Sequence, residues 1–370
     1  MAVAHDKLGA QEHLRSIPLA HMVDAAWMTQ VLQQAGINAN VAQVDAEQVG
    51  TGQLGSTLRF RLRYEGSGRG PETLIGKFAA TDENSRAIAK QWSLYEREIR
   101  FYNELAVRAR INVPVSYMAR LEDDGSFILL LEDLAPARPG DQIMGVTPVV
   151  ALRAVREAAR LHAAFWNHGD DPDLTWLETG QLAQPFYSPD VFRSVWPVFR
   201  DRYAGLLEPE HLQTGDAFAE RYEGFSRPLD RPRCVTHNDF RPDNMLFVPD
   251  GGDDRLTVVD WQSAALGHNA VDVAYFIAGG FATDDRRGSE AMLLSAYLRE
   301  LRAQGVEDYS ADALREDYRH FSFAGINVAV GAAMLVKRTE RGDRMFLTML
   351  DRHVRHVLDT NALAILMERC

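Results

Sequence analysis

Cysteine is scarce, with only Cys234 and Cys370 in 370 residues. Two thiols make no disulfide framework, and nothing resembles paired metal-ligand spacing. Long apolar runs are missing as well. No stretch approaches the roughly eighteen residues that span a bilayer. The longest candidate, Ala329 to Val336, is short and contains Gly331. Met1 to Ile17 mixes His, Asp, Lys, Gln, Glu and Arg without the apolar core of a signal peptide. The expectation is a cytoplasmic protein with no membrane insertion. Positive charge is also in deficit: 40 Lys plus Arg against 52 Asp plus Glu give a formal charge of −12. That counts against nucleic acid as a partner, since such binding rests on cationic contacts with phosphates. An anionic nucleotide stays admissible, because a metal ion can invert the local charge.

What is present is an ordinary globular composition, 46% hydrophobic and 25% charged, in a chain long enough for two domains. Residues 22–36 predict an amphipathic helix with Met22, Ala26, Val31 and Leu32 on one face, ended by Gly36. Next comes Gly50-x-Gly52-x-x-Gly55-Ser56-Thr57. It lacks the Gly-Lys-Ser/Thr of a Walker loop. Leu58, Phe60, Leu62 and Tyr64 then alternate with Arg59, Arg61 and Arg63, a strand pattern rather than the helix of a dinucleotide fold. A glycine hairpin between two strands covers nucleotide phosphates in kinase-like proteins. An ordinary β-turn has the same glycines.

Thr73 to Ala79 predicts another strand with one cation, Lys77, at its middle; taken singly, that is an edge residue snorkelling to solvent. One long helix is expected over Asn84 to Arg110, with Leu94, Phe101, Tyr102 and Leu105 as its apolar stripe. Glu98 falls on that stripe. A buried carboxylate needs a partner, and Lys77 is the nearest lone cation; otherwise Glu98 reaches water at the stripe's edge. Phe127 to Leu131 reads as a buried strand running into Glu132-Asp133-Leu134. The stretch from Ala135 to Gly145, with Pro136, Pro139 and Gly140, marks a domain boundary. The fold class expected is α+β. Residues 1–134 would form a small β-rich domain with one long helix and a helical extension over 1–40, and 135–370 a larger, mostly helical one. On the helix Ala151 to Asn167, His162 reads as a hydrogen-bonded core residue. From Phe165 to Arg202 the rings Trp166, Trp176, Phe186, Tyr187, Phe192, Trp196 and Phe199 either fill a core or wall an apolar pocket.

The most informative stretch is His237-Asn238-Asp239-Phe240-Arg241-Pro242-Asp243-Asn244, followed by Val259-Asp260-Trp261-Gln262. Asn244 to Val248 and Leu256 to Val259 predict two strands around the turn 249–254. In such a hairpin Asn244 and Asp260 stand at the same end, and Asp239 hangs over it. One acid can then face a hydroxyl while two oxygen ligands suit Mg²⁺. Phosphoryl transfer needs these parts, because its loose, charged transition state is stabilised mostly by alignment and charge neutralisation.

The pattern His237-x-Asp239-x-x-x-x-Asn244 with Asp260-Trp261-Gln262 resembles the catalytic and metal-binding loops of the protein-kinase-like fold. More closely it resembles the aminoglycoside phosphotransferase, choline kinase and ecdysteroid kinase-like group of small-molecule kinases. Leu130-Leu131-Glu132-Asp133-Leu134, Ala159-Arg160-Leu161-His162-Ala163 and Asp272 follow in family order. The resemblance implies a bilobal fold, ATP as phosphate donor and Mg²⁺. It further implies Asp239 as catalytic aspartate, Asn244 and Asp260 as metal ligands, and Gly50, Gly52, Gly55 and Ser56 over the phosphates. Lys77, fixed by Glu98, would meet the α- and β-phosphates, and backbone groups at Glu132 and Leu134 the adenine. Arg241 stands where protein kinases keep a catalytic-loop Lys; it either neutralises the transferring phosphate or is a surface residue paired with Asp243. Only eleven residues separate Asp260 from Asp272, too few for a phosphorylatable activation loop. The acceptor expected is the hydroxyl of a small molecule. The rings at 165–202 favour an apolar alcohol, sterol-like or phenolic, ahead of an aminoglycoside or choline-like amine. A catalytically silent nucleotide-binding module is the rival reading.

Overall fold

The computed structural model describes residues 16–50, 55–178, 188–248 and 255–369. The chain divides into two compact units, Met1–Leu105 with Val113–Ala135, and Ala106–Asn112 with Pro136–Cys370.

In the first unit a helix, α1 (Ala25–Gln34), precedes a five-stranded antiparallel sheet. The strands are β1 (Val41–Gln48), β2 (Gly55–Tyr64), β3 (Thr73–Ala79), β4 (Ser116–Leu121) and β5 (Phe127–Glu132), in the order β1-β2-β3-β5-β4. Asp24 caps α1 by accepting the Trp27 N–H, so the helix starts later than its periodicity suggested. Its buried face is therefore Trp27, Met28, Val31 and Leu32, while Met22 and Ala26 are exposed. That face packs on Phe60, Leu62, Leu74, Phe78, Ile128 and Leu130. Period-two alternation sends the intervening Arg61 and Arg63 to solvent. The helical stretch expected as one runs as α2 (Glu83–Gln91) and α3 (Leu94–Arg100), continued by a π-helical turn to Leu105. Ser93, in the left-handed region at φ 52°, makes the break.

The second unit is mainly helical. In chain order it holds β6 (Arg138–Pro139), α4 (Pro148–Ala164), α5 (Pro189–Arg202), α6 (Pro209–Glu220) and α7 (Tyr222–Ser226). Four short strands follow: β7 (Cys234–Thr236), β8 (Met245–Phe247), β9 (Leu256–Val258) and β10 (Ala265–Gly267). The unit ends with α8 (Ala270–Gly279), α9 (Thr283–Ala303), α10 (Ala311–His320), α11 (Ala324–Leu335), α12 (Glu340–Asp359) and α13 (Leu363–Arg369). Strands β6, β8 and β9 form one small antiparallel sheet, and β10 pairs with β7.

Of the described rings named in the 165–202 segment, Trp176, Phe192, Trp196 and Phe199 are core, and Trp166 is partly exposed. Phe192 (1% exposed) and Trp196 (3%) are stacked, and Phe192 meets the Phe218 ring at 4.8 Å. Phe218 in turn stacks on Phe323. For Phe192, Trp196 and Phe199, packing consumes the faces that would have lined a pocket. Phe186 and Tyr187 lie outside the described residues.

Two histidines of α12, His353 and His356, are wholly buried. Burial drives the pKa of His353 down to about 3 and that of His356 well below its ordinary value, with Arg286 adding to both. An unfolded histidine takes up a proton near pH 6.5, whereas these do not, so the unfolded chain binds more protons below that pH. Stability should be complete above pH 6.5 and fall by about 1.4 kcal/mol per pH unit per histidine as the pH drops below it. Urea melts between pH 7.5 and 5 check this; a flat profile between pH 6.5 and 5, where unfolded carboxylates are still mostly charged, contradicts it.

Candidate active site

The glycine stretch of the first unit connects β1 to β2. Gly50 adopts φ +76°, which a side chain resists, and a Cβ at Gly55 would lie 2.9 Å from the Phe78 carbonyl oxygen across the β2–β3 pair. Ser56 pairs with Phe78 in the same ladder; Gly52 lies outside the described residues. Lys77 sits opposite Thr57 on one side and Leu129 on the other, so its strand is interior, not an edge. Its Nζ donates to both oxygens of Glu98 at 2.6 and 2.8 Å. Glu98, on α3, is 2% exposed, so it does not reach water. This is the compensated burial that its place on the apolar stripe required.

At the end of β5, Arg59 grips the Asp133 carboxylate through Nε at 2.6 Å and Nη2 at 3.2 Å. Burial raises the Asp133 pKa, but Arg59, the Ala135 N–H and Thr73 outweigh it and hold the acid below its ordinary range. The Glu132 N–H is taken by the Val115 carbonyl at 2.8 Å. No backbone hydrogen bond engages Leu134 among the described residues.

In the second unit, β7 delivers the chain into the loop at His237. Asp272, on α8 and fully buried, organises that loop. Its carboxylate accepts the His237 N–H at 2.7 Å, the Asn238 N–H at 2.8 Å and His162 Nε2 at 3.2 Å. Three donors on a buried carboxylate replace the water it has lost. His162 is thus a hydrogen-bonded core residue, as its apolar face suggested, with Nδ1 on the Tyr297 hydroxyl at 2.8 Å. His237 ties the loop to the second strand of the hairpin: Nδ1 accepts the Asp239 N–H at 3.3 Å and Nε2 donates to the Val259 carbonyl at 3.0 Å.

Asp239 is held by three side chains. Arg241 Nε shares its hydrogen between Oδ1 (2.9 Å) and Oδ2 (3.1 Å), the Tyr275 hydroxyl donates to Oδ1 (3.2 Å), and Asn244 Nδ2 donates to Oδ2 (2.8 Å). Asn244 Nδ2 also reaches the Asp239 carbonyl at 2.9 Å, which commits the amide nitrogen and makes Oδ1 the acceptor end of the side chain. The Val259 N–H donates to the Asn244 carbonyl at 3.0 Å, and Met245 pairs with Val258. Asn244 and Asp260 are therefore neighbouring ends of one hairpin. Asp260 adopts φ 70°, ψ 65°, turning the chain sharply into the helical turn Trp261–Ser263. The buried Trp261 ring packs on His237 at 4.7 Å.

Of the two expectations for Arg241, the pairing with Asp243 is present, but not at the surface. Its Nη1 pairs with Asp243 at 2.6 Å, yet the side chain is only 19% exposed and its Nε is on Asp239. Burial lowers its pKa, but Asp239, Tyr275 and Asp243 together outweigh that and keep the guanidinium charged. Asp243 is fixed by the Gln142 N–H at 2.9 Å. The Gln142 segment is pinned by Arg352, which donates to the carbonyls of Gln142 (2.7 Å), Ile143 (2.8 Å) and Gly279 (2.8 Å). Sequence reasoning missed Tyr275, Gln142 and Arg352. For Tyr275 a signal existed: a hydroxyl three residues after Asp272 in an otherwise apolar helix must find a partner.

Asn244 Oδ1 and Asp260 are hard oxygen donors without His or Cys, a set that suits Mg²⁺ with substrate oxygens completing its shell. A second polar group, Glu208, His211 and Asp351, also gathers its ligand atoms within 4.8 Å of one another. There His211 uses one ring nitrogen on the Glu208 N–H and the other on Asp351, while Arg355 bridges the two carboxylates. That group is a helix cap with an ion-pair network.

The family model described as the phosphotransferase enzyme family matches residues 55–313, more than half of the chain. The protein belongs to the phosphotransferase enzyme family. A search of curated proteins finds no significant match. Among solved structures, a Plasmodium vivax ethanolamine kinase is 11% identical with a TM-score of 0.52, covering 84% of this chain and 81% of that one. The choline kinase of Cryptosporidium parvum Iowa II is 10% identical at 0.52, over 86% and 91% of the two chains. An amicoumacin kinase solved with AMP-PNP and Ca²⁺ is 11% identical at 0.51, over 85% and 88%. At such identities the likeness is one of fold, and the phosphotransferase is a mixed α+β protein of kinase-like architecture. Among its described residues no helix is long and apolar enough to cross a membrane.

Proposed function

We propose that this small-molecule phosphotransferase moves the γ-phosphate of ATP to a hydroxyl group of its acceptor. One observation carries the reading. Asp239 and Asn244 are hydrogen-bonded to each other at the foot of the hairpin that ends in Asp260, so an acid and two further oxygen-bearing residues stand at one end of it. In this reading Asp239 aligns the acceptor hydroxyl and takes its proton as the new O–P bond forms and the bond to ADP breaks. Mg²⁺, held by Asn244 Oδ1 and Asp260, would neutralise charge on the phosphate oxygens. Lys77, fixed by Glu98, serves the α- and β-phosphates, the stretch Gly50, Gly52, Gly55 and Ser56 covers them, and the Glu132 carbonyl with the Leu134 N–H serves the adenine. Arg241 Nη2 makes no hydrogen bond among the described residues, which leaves two charged N–H donors for a phosphate oxygen. A silent nucleotide-binding module has no need of a proton acceptor supported by three donors.

The test is an ATP-consumption screen over choline-like and other amino alcohols, aminoglycosides, sterols and phenols, with Asp239→Asn as the blank. Mg²⁺-dependent ADP formation that rises with one acceptor class is the expected result. A wild-type chain that binds no nucleotide in the presence of Mg²⁺ overturns the reading.

A further inference from the structure

We propose that Tyr275 is a positioning residue for phosphoryl transfer, its hydroxyl setting the rotation of the Asp239 carboxylate. This rests on the assignment of Asp239 above. The three donors to Asp239 do different work. Arg241 Nε approaches both oxygens almost equally, at 2.9 and 3.1 Å, so it holds the carboxylate in place but discriminates little between its rotational settings. Asn244 Nδ2 fixes Oδ2 only, and the same nitrogen is shared with the Asp239 carbonyl. Tyr275 is the donor that fixes Oδ1 alone. An ionised carboxylate only accepts, so the phenol must donate.

The phenol is itself held rigidly. Tyr275 lies on α8, whose ten residues are all buried, and is 4% exposed. Its ring stacks on that of His353 at 5.6 Å and 23°. Three residues earlier on the same helix, Asp272 holds the His237 and Asn238 N–H groups. One face of α8 therefore fixes the loop's backbone through Asp272 and its reacting side chain through Tyr275. A carboxylate free to rock about its last bond presents its proton-accepting lone pair to the acceptor for a smaller share of the time. Misalignment of this order is costly where catalysis is mostly positioning.

Tyr275→Phe removes one oxygen and keeps the stacked ring. ADP formation from Mg·ATP, with water as acceptor and with the acceptor found by the screen, should fall by roughly tenfold. Binding of Mg·AMP-PNP, measured by calorimetry, should stay within twofold, and the melting temperature within a few degrees. A merely structural role would lower the melting temperature and nucleotide affinity together, which overturns the inference. Equal ADP formation by wild type and variant, at any level, also overturns it. Failure of the phosphotransfer reading itself is recognised separately, by absent Mg·AMP-PNP binding to the wild type.

Discussion

Asp239→Asn should reduce ADP formation by about a thousandfold or more while leaving Mg·AMP-PNP affinity within a few-fold. The substitution keeps the shape of the side chain and removes the proton acceptor. The hydrogen bonds around it can largely be kept. With its oxygen toward Asn244 Nδ2 and its nitrogen toward Tyr275, the new amide satisfies both neighbours, because a phenol can accept as readily as it donates. Arg241 loses one anionic partner but keeps Asp243 at 2.6 Å. The cost in stability is then that of one charge-assisted contact in a partly exposed site, about 1–3 kcal/mol. Turnover of the variant near the wild-type rate removes Asp239 from the chemistry. Loss of nucleotide binding instead assigns it to ligand binding.

How much of this was readable in advance depended on whether the relevant pairing was local. Asn244 and Asp260 could be set at one end of a hairpin because two short apolar runs flank an unmistakable turn, and antiparallel pairing brings their ends together. The pairing of Lys77 with Glu98 spans 21 residues but followed from cost, since a carboxylate on a buried stripe demands a cation. The break at Ser93 was not readable: a single left-handed residue leaves the apolar periodicity of the flanking turns intact. Nor was the scaffold behind Asp239. Asp272 lies 35 residues from His237 and 110 from His162, and Arg352 reaches across 210 residues to the Gln142 carbonyl. Nothing in local composition joins such partners. The ring-rich segment was ambiguous for a different reason. Large rings lining a pocket and large rings filling a core leave the same trace in a sequence, and only Phe218 and Tyr222 closing over Phe192, with Phe323 stacked on Phe218, separate the two.

Asp260→Asn and Asp260→Ala should both remove most of the dependence of nucleotide binding on Mg²⁺. A carboxylate is the charged member of the proposed ligand pair, and Asn244 alone offers a neutral oxygen. Loss of that charge should weaken Mg·AMP-PNP binding by about ten- to a hundredfold, with affinity for AMP-PNP in EDTA unchanged. Two variants are needed because Asp260 also bears a backbone burden. At φ 70°, ψ 65° it occupies the left-handed region, which costs most side chains about 1–2 kcal/mol and Asp or Asn less. Asp260→Ala thus removes a ligand and adds strain, whereas Asp260→Asn removes only the charge. If the residue acts through the metal, calorimetry with Mg²⁺ and with EDTA gives nearly one affinity for each variant, and the two variants agree. If it acts through the turn, Asp260→Ala alone is impaired and melts lower, while Asp260→Asn keeps the wild-type gain from Mg²⁺. The second pattern would move the metal away from the foot of the hairpin, because Trp261, packed on His237 directly after the turn, would then be the reason for the conformation at residue 260.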